Sequence, residues 1–358
     1  MHRESSSGGT DRAGRERGPA APLWSWLRRV GLLLVTVVAI EYVAVDLITG
    51  ARQSWTSVGT AAPLVLVLAF ALEAASFGCY SGLTHALLPP ATRPPYLTVL
   101  AIDVTGNGFS HVVPGGGAVA AALRFRLLSR AKVPAADAVA TGAVQYAVTV
   151  LWLVAAFILG LITAVPLPGT HPFLKTAAIL TVVLVVTFGG LVAVLMVRPD
   201  QVVTVTHTLA RRLPLIHPTA FERLVRAIID QVHLVLGSRA QGRRTLLWGL
   251  GYWSFDAASL YLSVLAFGDA PNLGGLIATY ALVSLLALLP ITPGGLGLVE
   301  GVAVPVLVSF GTIQDAALLG VLTWRLFGFW LPVPVAGATY LWLRVRVLPR
   351  MSRDHGPG

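Results

Sequence analysis

The sequence is poor in charge, nearly without cysteine, and carries no visible catalytic cluster. Of its 358 residues only 12% are Asp, Glu, Lys or Arg, against roughly a quarter in soluble domains. That scarcity excludes an ordinary solvated globule. Cys79 is the one cysteine, so a disulfide framework or a cysteine-based metal site within one chain is excluded. No Lys-Ser/Thr follows a glycine-rich run, which rules out a nucleotide-binding loop. No Ser/His/Asp order, metal-ligand cluster or paired-carboxylate spacing stands out. We expect no cofactor, no metal and no catalytic residue.

Acids are also scarcer than bases, 16 against 26, for a formal net charge of +10. The placement of that charge argues against nucleic acid as a partner. All basic residues except Arg52, Arg93, Lys175 and Arg325 fall in four segments, 1–29, 124–132, 198–244 and 344–358. Basic residues collect on the cytoplasmic side of membrane proteins, where anionic headgroups attract them.

Apolar residues, by contrast, make up 55% of the chain. Runs that reach the ~20 residues needed to cross a bilayer lie at 30–50, 61–88, 135–165, 174–197, 245–268 and 316–343. The expected fold is therefore an all-α polytopic membrane protein with about six full transmembrane helices in the cell membrane, both termini cytoplasmic. The segment around Leu27-Arg28-Arg29-Val30 resembles a signal peptide, but the apolar run continues past Glu41 and Asp46 without a small-x-small cleavage site. We read it as an uncleaved first helix.

Residues 1–22, rich in Ser, Gly and Arg, are expected to form a disordered basic arm. The membrane domain spans 23–345, with a basic tail at 346–358. Between its halves, 198–244 is an arginine-rich cytoplasmic linker in which Phe221, Leu224, Val225, Ile228, Ile229, Val232 and Val235 keep helical spacing. Such a helix lies on the membrane face or packs on the protein's own loops.

Two apolar segments are interrupted. The first, 97–123, contains Thr105-Gly-Asn-Gly-Phe-Ser-His-Val-Val-Pro-Gly-Gly-Gly117; the second, 276–311, contains Leu289-Pro-Ile-Thr-Pro-Gly-Gly-Leu-Gly297. Proline ends a helix, and broken backbone survives at membrane depth only when buried or facing water. The basic segments require each interrupted segment to begin and end on one side. Both are read as re-entrant helical hairpins, entered from opposite faces as an inverted repeat, which points to a transporter site. Arg124 closes the first segment and reads as an interfacial anchor or a substrate contact. The half-helices starting near Ala118 and Leu298 expose N–H groups suited to an anion such as a lipid phosphate; alternatively the glycines serve close packing.

Arg325 is the one basic residue deep in an apolar run. It pairs with a phosphate or neutralises Glu300 or Asp256. Asp103, Asp256 and Glu300 form a proton or ion relay or are salt-bridged partners. Glu41, Asp46 and Glu73, outside the interrupted segments, are assigned to a hydrated cavity. Asn107 and His111 satisfy loose backbone or bind ligand.

Thr292-Pro-Gly-Gly-Leu-Gly-Leu-Val-Glu-Gly301, followed by Trp324-Arg325 and Leu331-Pro332, resembles the transmembrane module of lysylphosphatidylglycerol synthases, within a wider group of flippase-like membrane proteins. Trp324 stands where that pattern has Tyr. Asn107, Pro114-Gly-Gly-Gly117 and Arg124 resemble the first-half pattern more loosely. The resemblance covers roughly 25–345. It does not extend to the lysyl-transfer domain, since the chain ends about fifteen residues after the last apolar run, so lysyl transfer is not expected.

The resemblance implies movement of modified phospholipid between leaflets, with polyprenyl-linked substrates open as well. The expected substrate-binding residues are Arg325, Glu300, Thr292, Pro293, Gly294, Gly295, Gly297, Asn107, Pro114, Gly115, Gly116 and Arg124, with Asp103 and Asp256 as a relay. Membrane lipids are the expected partners, and a synthetase is a further one. The competing readings are a membrane enzyme or enzyme subunit of lipid-linked or polyprenyl-phosphate glycan metabolism, with Asp103, His111 or Glu300 as acid/base, and a non-transporting scaffold.

Overall fold

A computed structural model of the chain describes residues 62–112, 116–164, 218–288 and 293–347. The arm 1–22, helices 30–50 and 174–197, the linker before 218, Pro114, Gly115, Thr292 and the tail beyond 347 lie outside the described residues, as do Glu41 and Asp46.

Every described element is helical. They are α1 (Pro63–Leu87), α2 (Tyr96–Val112), α3 (Gly116–Arg130), α4 (Ala135–Ala164), α5 (Pro218–Gly237), α6 (Arg239–Leu265), α7 (Leu273–Ala287), α8 (Leu298–Ser309), α9 (Gln314–Arg325) and α10 (Pro332–Trp342). Helices are the natural solution in lipid, because each satisfies its own backbone polar groups. Local signals mark their ends. Pro63 opens α1 with its fixed φ, and the Asn272 side chain caps α7 by accepting from Gly275 N at 2.9 Å.

Three stretches are long and apolar enough to cross a membrane: Pro63–Leu87, Ala135–Thr163 and Gln314–Val345. The third joins α9 to α10 through a π-turn, Leu326–Trp330, in which Leu331 N donates to Leu326 O at 2.9 Å. The wider turn accommodates Pro332, which has no N–H to continue the α ladder. Helix α6 is 27 residues long, but its Trp, Tyr and Ser residues and Asp256 make it more polar than those three. Large apolar side chains such as Leu64, Val67, Leu68 and Ile162 point outward, as lipid-facing surfaces do.

Helices α1 and α6 pack antiparallel. Ala62 N donates to Ala266 O at one end, and the Gln241 side chain donates to Ala86 O at the other. Packing is close where residues are small, which is how helices associate without a hydrophobic driving force. A Cβ on Gly160 of α4 would lie 2.4 Å from Ala278 N of α7, and one on Gly108 of α2 would lie 2.3 Å from the Ala336 Cβ of α10.

Each interrupted segment folds back on itself. The start of α7 meets the end of α8, since a Cβ on Gly275 would lie 2.5 Å from the Phe310 ring, and Ile313 N donates to Asp269 Oδ2 at 2.6 Å. At the opposite end of the bundle Leu88, Val99, Leu127, Leu128, Ala131 and Val133 share one cluster, which ties the start of α2 to the end of α3. The two tips meet: a Cβ on Gly294 would lie 3.3 Å from His111 Cδ2.

Two expectations need correction. The backbone is not broken from Thr105, because α2 runs on to Val112. Gly108 instead admits a close neighbour, Ala336, while Gly106 lies at ordinary contact distance from Arg124. The second half-helix starts at Gly116 rather than near Ala118 and carries Arg124, Arg126 and Arg130 within it. Helix α5 packs on the protein itself, with Val235 in a cluster with Leu83, Leu87 and Val144.

Candidate functional site

The hairpin tips and the helices around them hold two arginine centres. In the first, Arg124 of α3 donates from Nε to Asp103 Oδ1 of α2 at 2.7 Å. Thr84 of α1 donates to Asp103 Oδ2 at 2.7 Å and accepts from Arg124 Nη2 at 2.7 Å. Arg124 Nη2 also reaches Gln145 Oε1 of α4, and Gln145 Nε2 donates to Tyr80 O at 3.2 Å. Four helices thus converge on one buried guanidinium, whose side chain is 14% exposed. The expectation of Arg124 as an interfacial anchor is corrected: its carboxylate partner lies on the other arm of the hairpin and draws it inward, since an unpaired carboxylate there would be costly.

In the second centre Arg325 Nε donates to Glu300 Oε1 at 2.6 Å and its Nη2 donates to Gly294 O at 3.0 Å. Glu300 turns its other oxygen to Gly297 N at 2.8 Å. The free N-terminus of α8, expected to face an external anion, is therefore already capped by a carboxylate of its own first turn. Gly294, Gly295 and Gly297 have φ of 58°, 72° and 77°, a region that L side chains avoid. Phe329 of the π-turn lies under the Arg325 guanidinium, 4.2 Å from ring centroid to Cζ. His111 stacks on Phe329 at 4.1 Å and its Nδ1 is 3.0 Å from Phe329 O.

Helix α2 connects the centres. Asp103, Asn107 and His111 are spaced by four and share one face, over ~12 Å of helix axis. Asp103 and Glu300 are ion-paired. Asp256 instead accepts from Tyr280 Oη at 2.7 Å and Trp324 Nε1 at 2.6 Å. Pro293 and Gly294 form the short turn at the second tip, Gly116 begins α3, and Gly117 is exposed with open space beside it. Beside this polar interior, between α1, α4, α6 and α7, lies an apolar cavity of about 580 Å³ whose walls include Leu72, Trp152, Leu159, Trp253, Tyr261 and Tyr280.

Thr84, Gln145, Tyr80, Tyr280 and Phe329 were not read from the sequence. Thr84 and Gln145 had a faint signal as lone polar residues in apolar helices; the aromatic residues had none. Among the described residues no group of three or more His, Cys, Asp and Glu is placed to hold a metal.

Membrane-length helices, outward apolar faces and ion pairs buried between helices define a multi-pass membrane protein. The family model described as the lysylphosphatidylglycerol synthase TM region matches residues 30–336, and the chain belongs to that family. A UPF0104 membrane protein of Methanothermobacter thermautotrophicus is 22% identical over 316 residues, covering 85% of this chain and 93% of the relative. A protein of the same description and organism is 42% identical over 66 residues, 18% of this chain and 19% of the relative.

Proposed function

We propose that the protein translocates a phosphate-containing lipid, such as a modified phospholipid, between leaflets. The observation that carries this reading is the polar face of α2, which runs from the Arg124 centre to the Arg325 centre inside the helical bundle. A guanidinium has five N–H donors, and the bonds to Glu300 and Gly294 engage two of Arg325's. Among the described residues nothing else accepts from it by a hydrogen bond, and the remaining donors would take a headgroup phosphate, bidentate where geometry allows. The cavity by Trp152 and Tyr280 suits an acyl or prenyl chain, being apolar and within the ~300–1,000 Å³ of ligand sites.

In this reading the two hairpins are re-entrant, enter from opposite faces and form an inverted repeat, with about six full spans and both termini cytoplasmic. The packing supports it: α2 lies against α10 of the second half just as α7 lies against α4 of the first, each pair antiparallel. The lipid-related role of the family supports the substrate class. Thr292, Pro114 and Gly115, flanking the tips, complete the binding residues.

The test is leaflet exchange of fluorescent phosphatidylglycerol, lysylphosphatidylglycerol and polyprenyl phosphate in proteoliposomes, wild type against Arg325→Ala. Exchange of one lipid by wild type, reduced at least tenfold in a folded variant, is expected. Absence of exchange for all three lipids rejects the reading and favours an enzyme subunit or scaffold.

A further inference from the structure

Glu73 of α1 and Asp256 of α6 belong to neither arginine centre. Glu73 lies ten residues after Pro63, or ~15 Å along the axis, about half of the ~30 Å hydrocarbon thickness. It is 4% exposed and so does not face a hydrated cavity. The antiparallel register of α1 and α6, fixed by Ala62 against Ala266 and Ala86 against Gln241, brings Glu73 level with Asp256, and the Asp256 carboxyl and the Ser259 hydroxyl act on its carboxyl electrostatically. Yet Glu73 Oε2 and Ser259 Oγ, the latter on a fully buried residue, close no hydrogen bond among the described residues. Among the described residues the other titratable or charged groups around the pair are Tyr252 and Tyr280, both neutral phenols near neutral pH, and Arg325, whose charge reaches Asp256 but is paired with Glu300.

Two facing carboxyls at this depth, with no cation bonded to either among the described residues, cannot both stay ionised; sharing one proton resolves the repulsion. We propose that Glu73 and Asp256 form a proton-binding site whose loading and release couple to lipid movement. The coupling rests on the translocator reading; the proton site does not.

The surroundings give the pair contact with both parts of the lipid path. Tyr280, which donates to Asp256, also lines the apolar cavity. Trp324, the second donor to Asp256, immediately precedes Arg325. Glu73 Oε1 lies against Gly328, where a Cβ would come within 2.7 Å, and Gly328 sits in the π-turn that carries Phe329 beneath Arg325. A proton lost from the pair leaves a second buried negative charge pressed on that turn.

Two measurements separate the site from the coupling. Infrared spectroscopy of the purified protein is expected to show a protonated-carboxyl band at neutral pH that is lost in Glu73→Gln. That variant keeps the fold, checked by gel filtration, because its amide donates to Asp256 in place of the shared proton. Absence of the band in wild type, or its persistence in Glu73→Gln, overturns the site. In proteoliposomes, a pH gradient is expected to accelerate exchange of whichever of the three fluorescent lipids the wild type moves. That acceleration is lost in Glu73→Gln and restored in Glu73→Asp. Gradient-insensitive exchange by wild type, or a gradient response that survives Glu73→Gln, overturns the coupling. A wild type that moves no lipid yet shows the band rejects translocation and coupling together and supports the proton site alone.

Discussion

An arginine held inside a membrane protein is only as stable as its carboxylate partner is near, and each centre has one within 2.7 Å. Truncating Arg325 to Ala leaves Glu300 buried with one backbone donor at Gly297. Breaking such a pair costs about 3–5 kcal/mol, whereas replacing both members by neutral groups costs far less. Thermal unfolding in detergent should therefore rank Arg325→Ala as more destabilised than the Glu300→Gln/Arg325→Gln pair; equal or reversed order would show that the ion pair is not closed. At the first centre Arg124→Lys keeps the charge but loses the planar fork that serves Asp103, Thr84 and Gln145 together. It should lower stability by about 1–3 kcal/mol, the cost of leaving buried acceptors unpaired. Arg325 was legible as the lone base of an apolar run. Its choice between phosphate and carboxylate was not, because Glu300 is 25 residues away and only the turn at Gly294–Gly297 sets their distance. Arg124 was misplaced because Arg126 and Arg130 lie beside it, and a cluster of bases reads as interfacial whichever way a single member points.

Helix interruptions were legible at the level of elements, since Pro293-Gly294-Gly295 and the region before Gly116 carry the residues that end helices. Their extent was less so. Glycine serves both to break a helix and to let two helices approach, and the sequence of Gly106-Asn107-Gly108 cannot distinguish these uses without the neighbour, here Ala336. The same distinction yields a prediction for element packing. A Cβ on Gly160 would sit 2.4 Å from the α7 backbone at Ala278, and that backbone cannot step aside. Gly160→Ala should destabilise by about 1–3 kcal/mol, the usual cost of overpacking. Gly337 in α10 has open space at its Cβ position, so Gly337→Ala should be neutral or stabilising by up to about 1 kcal/mol through helix propensity. A comparison of the two melting temperatures checks the pair; a Gly160→Ala protein as stable as wild type would mean that α4 and α7 are not in this contact.

Across the whole molecule the described contacts divide the bundle into two ends. Ala62, Thr163, Ala266, Asp269, Leu273 and Ile313 gather at one; Ala86, Leu88, Ala131, Val133, Gln241 and Leu343 gather at the other. Each hairpin begins and ends at its own end, and each long helix runs between the two. Charge follows the division. Arg93, Arg130, Lys132, Arg239, Arg243, Arg244 and Arg344 lie at the second end, while the described loops of the first carry Asp269 and no base. Basic residues stay on the cytoplasmic side, so the second end is predicted to face the cytoplasm. Cys79 is buried, so single cysteines can be placed on a Cys79→Ser background at two exposed serines, Ser238 before α6 and Ser309 at the end of α8. A membrane-impermeant thiol reagent added to intact cells should label Ser309→Cys and reach Ser238→Cys after permeabilisation alone. Labelling of both from outside would break the two-ended arrangement. Labelling of Ser238→Cys alone would keep the arrangement but invert it in the membrane, so that the Arg124 hairpin would open to the exterior and the Arg325 hairpin to the cytoplasm.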